Sequence, residues 1–472
     1  MNGTVRFSLI GLSAVLLLGA ASADEARRQA PRWSADQRLT FHAGDSQTSI
    51  NFARSLAAGL AGAVQAVWFD TRDGLPQIYT KRSGDGGATW GPDVRLSQLD
   101  MRSEYPAVAL SGRLVYVVWH ALSPQGPEIV CRRSKDGGAT WGPEIRLGEG
   151  ANPAIAASGR RVRVVWGSGR EGEAEVYTRG SEDFGATWSE ESRISELPYE
   201  SWVATVEIAG DRAYVGWVDY RDGNEEEYFR RSLDGGETWE PAERLTSDPA
   251  DSWAPSLAVQ GDTLHLVWFD RRDAGVSDVD IENKLDEAMA LVGIPFSPPP
   301  PRDPAVYYLP AFMERVQEKM QAIQTAAPGW VQHGGDPAHL EALLRQFQGL
   351  MTTWTYSWEI YYKRSQDGGN TWGPDVRLTR APGLSLRPSI AVSGGDVQVV
   401  WNDGRDGTVQ VYAKRSSDGG ATWGPDERLT SSIGNPLDDS LRPAVAAGAG
   451  SFYVVWTDRR DGSAEIYFKR RR

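Results

Sequence analysis

Fourteen residues ahead of seven recurring tryptophans (Trp68, Trp119, Trp166, Trp217, Trp268, Trp401 and Trp456) stand Arg54, Tyr105, Asn152, Val203, Ala254, Arg387 and Arg442. Three arginines at one repeat position present forks of N–H donors that suit a carboxylate or a sulfate, and partial exclusion of water strengthens such a contact. A local use competes with this one. Two residues after the tryptophan the same three units carry Asp70, Asp403 and Asp458, which hairpin geometry places roughly opposite the arginine. An exposed pair of that kind adds only about 0.2–1 kcal/mol. Asp219 and Asp270 have no such arginine, so the pairing is not obligatory. The loops that follow, Asp70 to Gly74, Asp219 to Gly223, Asp403 to Gly407 and Asp458 to Gly462, are rich in carboxylates and invite a calcium reading. An arginine stands in the middle of each, whereas calcium takes six to eight oxygen ligands, so a tight turn is preferred and no metal site is assigned.

The elements that must position these residues are repeated hairpins. One unit, residues 387 to 430, reads as four short alternating strands, A to D, broken by glycine-rich turns. The strand-B tryptophan counts seven such units. The turn from C to D carries Ser-x-Asp-x-Gly-x-Thr-Trp six times, with aspartates Asp85, Asp136, Asp183, Asp234, Asp367 and Asp418. Serine and aspartate can bond the backbone of a tight turn, glycine permits positive φ, and tryptophan can wedge between sheets. The seventh unit lacks a D strand, while residues 33 to 40, "WSADQRLT", match "WGPDVRLS" at 90 to 97. The N-terminal strand is therefore expected to complete the last unit and close a ring. Four-stranded units of about 50 residues build radial β-propellers, so the fold expected is all-β and seven-bladed.

The repeated turn resembles the Asp-box, or bacterial neuraminidase repeat, of the sialidase superfamily, over the chain from about residue 33 onward apart from one insertion. The resemblance implies an Asp-box propeller in which the box is a folding element. It further implies a glycoside hydrolase site in which three arginines grip a sugar carboxylate, a tyrosine assisted by a glutamate acts as nucleophile, and an aspartate serves as acid/base. On that analogy Arg54, Arg387 and Arg442 bind the carboxylate and Tyr105 is the candidate nucleophile. Glu104, Glu200 and Asp251 are the candidate carboxylates, the last two sharing the register seventeen residues before Trp217 and Trp268. The chain departs from the family in having seven units rather than six, and no Phe/Tyr-Arg-Ile-Pro motif precedes its first box.

Antiparallel order puts the A–B and C–D turns on one end and the B–C and D–A loops on the other, here called the front. Blade 5 is interrupted between B and C, from 276 to 357, by three stretches of helical spacing that begin near Val279, Ala305 and Pro337. This insertion either covers the mouth of the ring or packs as an ornament on its rim. Fourteen of the nineteen tryptophans belong to the strand-B and box positions. The other five, Trp202, Trp253, Trp330, Trp354 and Trp358, fall on front loops of blades 4 and 5 or in the insertion. Trp202, Trp253 and Trp354 form either an aromatic wall for a sugar or the floor on which the insertion rests.

Composition sets the remaining bounds. Residues 1–23 read as a secretory signal, with Arg6, an apolar run from Leu9 to Leu18 and Ala21-Ser22-Ala23, so a secreted or periplasmic location is expected. The apolar run is too short to anchor in a bilayer. A net charge of -13 argues against a nucleic-acid partner. Lone Cys131 reads as a packed strand residue, and no cofactor is implied. Two functions from different classes stand: a sialidase-like hydrolase of an acidic glycan or glycoconjugate, and a non-catalytic propeller that binds a glycan or an extracellular protein.

Overall fold

The computed structural model describes residues 33–471 apart from 50–53, 99–100, 197–199, 223, 249, 274, 277, 296–307, 356–357, 382 and 432–440. The signal read over residues 1–23 lies outside them. The fold is a seven-bladed β-propeller whose sheets run antiparallel from A to D. Blade 6 shows the pattern, with strands Ser385–Ser393, Asp396–Asp403, Gln410–Ser416 and Glu427–Arg428. Outer strands of two residues in six blades, and of five residues (Ile145–Glu149) in blade 2, leave little open edge for another chain to pair with. Blade 1 is the variant: Ser46–Gln47 adds a fifth strand, pairing with Asp70 and Phe69 ahead of Leu56–Ala58.

The ring closes as the sequence predicts. Gln37 and Arg38 pair with Phe468 and Tyr467 of the last blade, and Trp33 bridges to Arg471. The Leu39 N–H donates to the Ile466 carbonyl at 2.7 Å, and the Ile466 N–H donates to Thr40 Oγ1 at 2.9 Å. The seven strand-B tryptophans are all fully buried. In five blades the indole donates to the aspartate two residues on, as Trp401 Nε1 does to Asp403 Oδ2 at 2.7 Å. A buried N–H left without a partner would cost about 1–3 kcal/mol.

The six Ser-x-Asp turns share one hydrogen-bond scheme. In the first, Ser83 Oγ donates to Asp85 Oδ1 at 2.7 Å and accepts from the Gly87 N–H at 2.8 Å. Thr89 donates to Asp85 through its N–H at 2.9 Å and its hydroxyl at 2.6 Å. Gly87 has φ +75°, and a Cβ there would stand 2.3 Å from the Phe468 ring of the preceding blade. Trp90 meets that ring edge-on at 5.1 Å, a wedge between blades. Each turn also bonds its own blade's A–B turn, as Gly137 N does to Arg113 O at 2.8 Å and Gly419 N to Gly395 O at 2.8 Å. Both turn sets therefore share one end, and the B–C loops face the other.

From that other end blade 5 extends three helices, α1 (Asp278–Leu291), α2 (Tyr308–Gln332) and α3 (Pro337–Thr355). Ile281, Leu285, Ile323, Leu343 and Phe347 form a core drawn wholly from the insertion. Arg315 pairs with Glu282 at 3.0 Å and Lys319 with Asp286 at 2.7 Å, tying α2 to α1. Among the described residues no helix is long and apolar enough to cross a membrane.

Candidate functional site

The register that carries the arginines has an unusual backbone. Tyr105, Asn152, Val203, Ala254, Arg387 and Arg442 all adopt left-handed φ, between 41° and 65°. In blades 2 to 6 strand A slips there against strand B, from Glu104 to Ala107 in blade 2 and from Leu386 to Ser389 in blade 6. This is a β-bulge, in which two residues face one and a side chain is re-aimed. Part of the cause is in the sequence, because the next residue is Pro106, Pro153, Pro255, Pro388 or Pro443 in five blades. Proline has no N–H to leave unpaired at the slip. A positive φ costs roughly 1–2 kcal/mol outside glycine, most awkwardly at β-branched Val203. Strain repeated around an axis is the kind of feature that accompanies a site.

The left-handed residues of blades 6, 7 and 2 lie within charge range of one another at Tyr105. Burial raises the Tyr105 hydroxyl pKa first, the Glu104 charge raises it further, and Arg442, Arg102 and Arg387 lower it. One phenol thus senses arginines from two other blades. Its ring packs edge-on against His120 at 4.9 Å and Phe69 at 5.6 Å. Burial lowers the His120 pKa to about 4, which keeps the imidazole neutral at pH 7. Arg387 is buried, and Arg442 is half-buried with Nη1 donating to Gln47 Oε1 at 2.9 Å. Glu104 is gripped at both oxygens by Arg102, at 2.8 and 2.9 Å.

Other expected members are placed differently. Arg54 does not pair with Asp70. It crosses the axis to the Glu207 carboxylate of blade 4, and Nη2 donates to the Leu257 carbonyl at 3.1 Å. Asp70, Asp403 and Asp458 are held instead by Arg72, Arg405 and Arg460 of the following loop, at 2.5, 2.6 and 2.5 Å. These loop arginines also reach an aspartate beside the D strand, as Arg405 does to Asp426 at 2.6 Å, and stack on a tyrosine, as on Tyr412 at 4.5 Å. Asp251, a candidate acid/base, is buried in an ion pair with Arg271, so its charge is already committed. Glu200 lies half-buried at the front of blade 4, its carbonyl accepting from the Tyr220 N–H at 2.9 Å.

Trp253 is only 5% exposed and packs on Phe269, with centroids 5.7 Å apart, so it belongs to the core rather than to an open wall. Trp202 is half-buried against the same cluster. Trp354 ends α3, and its side chain lies outside the described residues. Trp358 packs on Phe269 at 4.8 Å and lies under the Arg271 guanidinium at 4.6 Å.

Sequence reasoning missed Glu207 and Glu227, although both were signalled. Ten residues before the strand-B tryptophan six blades carry alanine and blade 4 carries Glu207. At the strand-C position of Glu227, the sister blades carry Ile78, Ile129, Val176, Ile360, Val411 and Ile466. Glu227 is fully buried, and neither carboxylate oxygen has a hydrogen-bond partner among the described residues. Burial, then the Glu226 and Asp270 charges, hold its pKa well above the usual carboxylate range.

No protein-family model matches the chain, and no curated protein matches it. Solved structures do. An ulvan lyase, a polysaccharide lyase bound to a glucuronate and sulfated-rhamnose unit, aligns over 92% of this chain and 95% of its own, at TM-score 0.51 and 11% identity. The likeness is in the propeller fold. An α-L-arabinanase of Penicillium chrysogenum complexed with arabinobiose aligns over 92% of this chain and 98% of its own, at TM-score 0.43 and 12% identity. A mutant sialidase of Trypanosoma rangeli aligns over 93% of this chain and 59% of its own, at TM-score 0.42 and 11% identity.

Proposed function

We propose that the front end of the propeller binds an acidic glycan, taking a carboxylate or sulfate on Arg387 and Arg442 beside the Tyr105 hydroxyl. The observation that carries this reading is that three left-handed residues from three blades stand together, with both arginines within charge range of one phenol. Arginine forks in a partly desolvated setting give strong, oriented contacts to such anions. The chain is acidic overall, at -13, but a local cluster overrides long-range repulsion at contact distance. The ring is chemically one-sided. Half-buried Val203 and Trp202 make an apolar arc opposite the arginines, suited to the C–H edge of a sugar. The ulvan lyase with the same fold is bound to a glucuronate-containing sugar, which fits this class of ligand. A glycan array of uronate-bearing, sulfated, sialylated and neutral sugars tests it. Acidic sugars should bind and Arg387→Ala and Arg442→Ala should abolish the signal; binding limited to neutral sugars, or unaffected by either change, refutes the reading.

A sialidase-like hydrolysis is the second reading, favoured by Glu104 lying within charge range of the Tyr105 hydroxyl. The raised phenol pKa means that the group is protonated at pH 7, so a nucleophilic role requires a base, and the Arg102 clamp must release Glu104 to supply it. Turnover of a fluorogenic sialoside or uronide that disappears in Tyr105→Phe supports hydrolysis; unchanged turnover in that variant excludes this tyrosine. Residues 1–23 further support a site outside the cytoplasm, which fractionation of cells expressing the full chain tests.

A further inference from the structure

The axial channel is lined by the A strands of all seven blades and encloses about 200 Å³. Its wall is mostly methyl groups, because seven strands meeting at an axis leave little room: Ala57, Ala109, Ala156, Ala258, Ala391 and Ala446 stand at one register. Blade 4 breaks the ring with Glu207, whose side chain is 7% exposed. From the opposite arc Arg54 descends into the channel to meet it and to donate to the Leu257 carbonyl. Its side chain keeps 35% of its surface open to water, yet the protein packed round the guanidinium lowers its pKa to about 10. It still carries its charge at neutral pH.

We propose that Glu207 is an internal competitor for the anion site, latching Arg54 inside the channel and away from the group formed by Arg387, Arg442 and Tyr105. The proposal rests on the acidic-glycan reading above and adds how that site is regulated. A carboxylate on Glu207 offers the Arg54 guanidinium the same chemistry that a uronate or sialate would offer. Any ligand seeking the third arginine must displace it, and its affinity falls by the fraction of molecules in which the latch is open. The Arg54 carbonyl accepts from the Val108 N–H at 2.9 Å, three residues along the strand from Tyr105, so a released guanidinium starts beside the strand that carries that phenol.

The test is calorimetric titration of the full chain with sodium glucuronate and with N-acetylneuraminate. Glu207→Ala restores the residue found at this register in the other six blades, and Glu207→Gln keeps the volume without the charge. Both should bind the acids about tenfold tighter than the wild type, the effect of one added charged hydrogen bond. The double variant Arg54→Ala/Glu207→Ala should lose that gain. Thermal melts of each protein separate altered binding from loss of fold. If the wild type binds and depends on Arg387 while both Glu207 variants bind equally well, the latch is wrong and the site reading stands. If the gain survives in the double variant, it does not pass through Arg54 and the latch is again wrong. If neither the wild type nor either Glu207 variant binds either acid, the site reading falls and the latch falls with it.

Discussion

Nη1 of Arg460 lies 2.6 Å from Oδ2 of Asp36, so a residue near the start of the described chain is clamped by one near its end. Lys469 adds a contact to the other Asp36 oxygen at 2.7 Å. Asp93 binds Arg72 and Lys81 at 2.8 Å each, and Asp426 binds Arg405 and Lys414 at 2.6 and 2.9 Å. The N-terminal strand therefore reproduces the side-chain chemistry of an ordinary D strand as well as its backbone pairing.

Removing this clamp should loosen the ring at its seam. Asp36→Ala is expected to lower unfolding free energy by about 1–3 kcal/mol, the usual loss for charged hydrogen bonds with restricted water access. Urea denaturation measures it. A midpoint equal to that of the wild type would mean that closure rests on the backbone ladder alone.

The Ser-x-Asp turns predict an acid limit. Donation from the Thr371 hydroxyl and N–H, then from Ser365, holds the Asp367 carboxylate well below its ordinary pKa, and the same scheme lowers Asp418 to about 2. A depressed folded-state pKa contributes stability that is present above the ordinary value of about 3.9 and lost as pH falls through the folded one. Asp367→Asn should melt lower than the wild type at pH 7, with the gap narrowing towards pH 2. A gap that is constant with pH would assign the effect to shape rather than charge.

Glu227 predicts the opposite slope. Its folded-state pKa is raised, so the folded protein holds a proton that the unfolded chain releases above about pH 4.3, and stability declines from there towards the folded pKa. Glu227→Ile installs the residue type of the sister blades and should stabilise by about 1–3 kcal/mol at pH 7, the cost of a buried polar group without a hydrogen bond. The advantage should grow in thermal melts as pH rises from about 4.3 towards the folded pKa and level off above it. Destabilisation by this change would show that the carboxyl has a partner worth more than its burial costs.

Trp253 and Trp202 should separate core from site. Trp253→Ala removes a buried ring packed on Phe269 and is expected to cost about 3–5 kcal/mol. Trp202→Ala, at a half-buried position, should cost less stability and weaken glycan binding. Equal losses of stability would place both rings in the core.

Blade number, ring closure and the end from which the helices leave were all legible in the sequence. Each follows from local alternation and from one ruler, the strand-B tryptophan. The register of Arg387 and Arg442 was legible too, but Arg54 stands one residue out of it, because the A–B turn of blade 1 holds an extra residue and Ala57 rather than Ala58 faces Gln65, and nothing in the repeat says where each guanidinium goes. The pairing of Arg54 with Glu207 joins residues three blades apart across an axis, and a repeat pattern fixes strand register without fixing what long side chains reach. The left-handed bulge has a partial signal in the prolines that follow it. Glu207 and Glu227 stand out only when each repeat position is compared across all seven blades, because a single carboxylate in one strand looks like an ordinary outward-facing residue. Asp251 and Trp253 share repeat positions with half-buried Glu200 and Trp202, and their deeper burial depends on Arg271 and Phe269, just after and within the adjoining strand.

The most direct measurement is a crystal structure of the protein with glucuronate bound. The carboxylate is expected between Arg387 and Arg442, within hydrogen-bond distance of both guanidinium groups and beside the Tyr105 hydroxyl, on the end opposite the Ser-x-Asp turns. A uronate seated on the other end, or a front end that stays empty at saturating ligand while binding is measured in solution, would contradict the site proposed for this propeller.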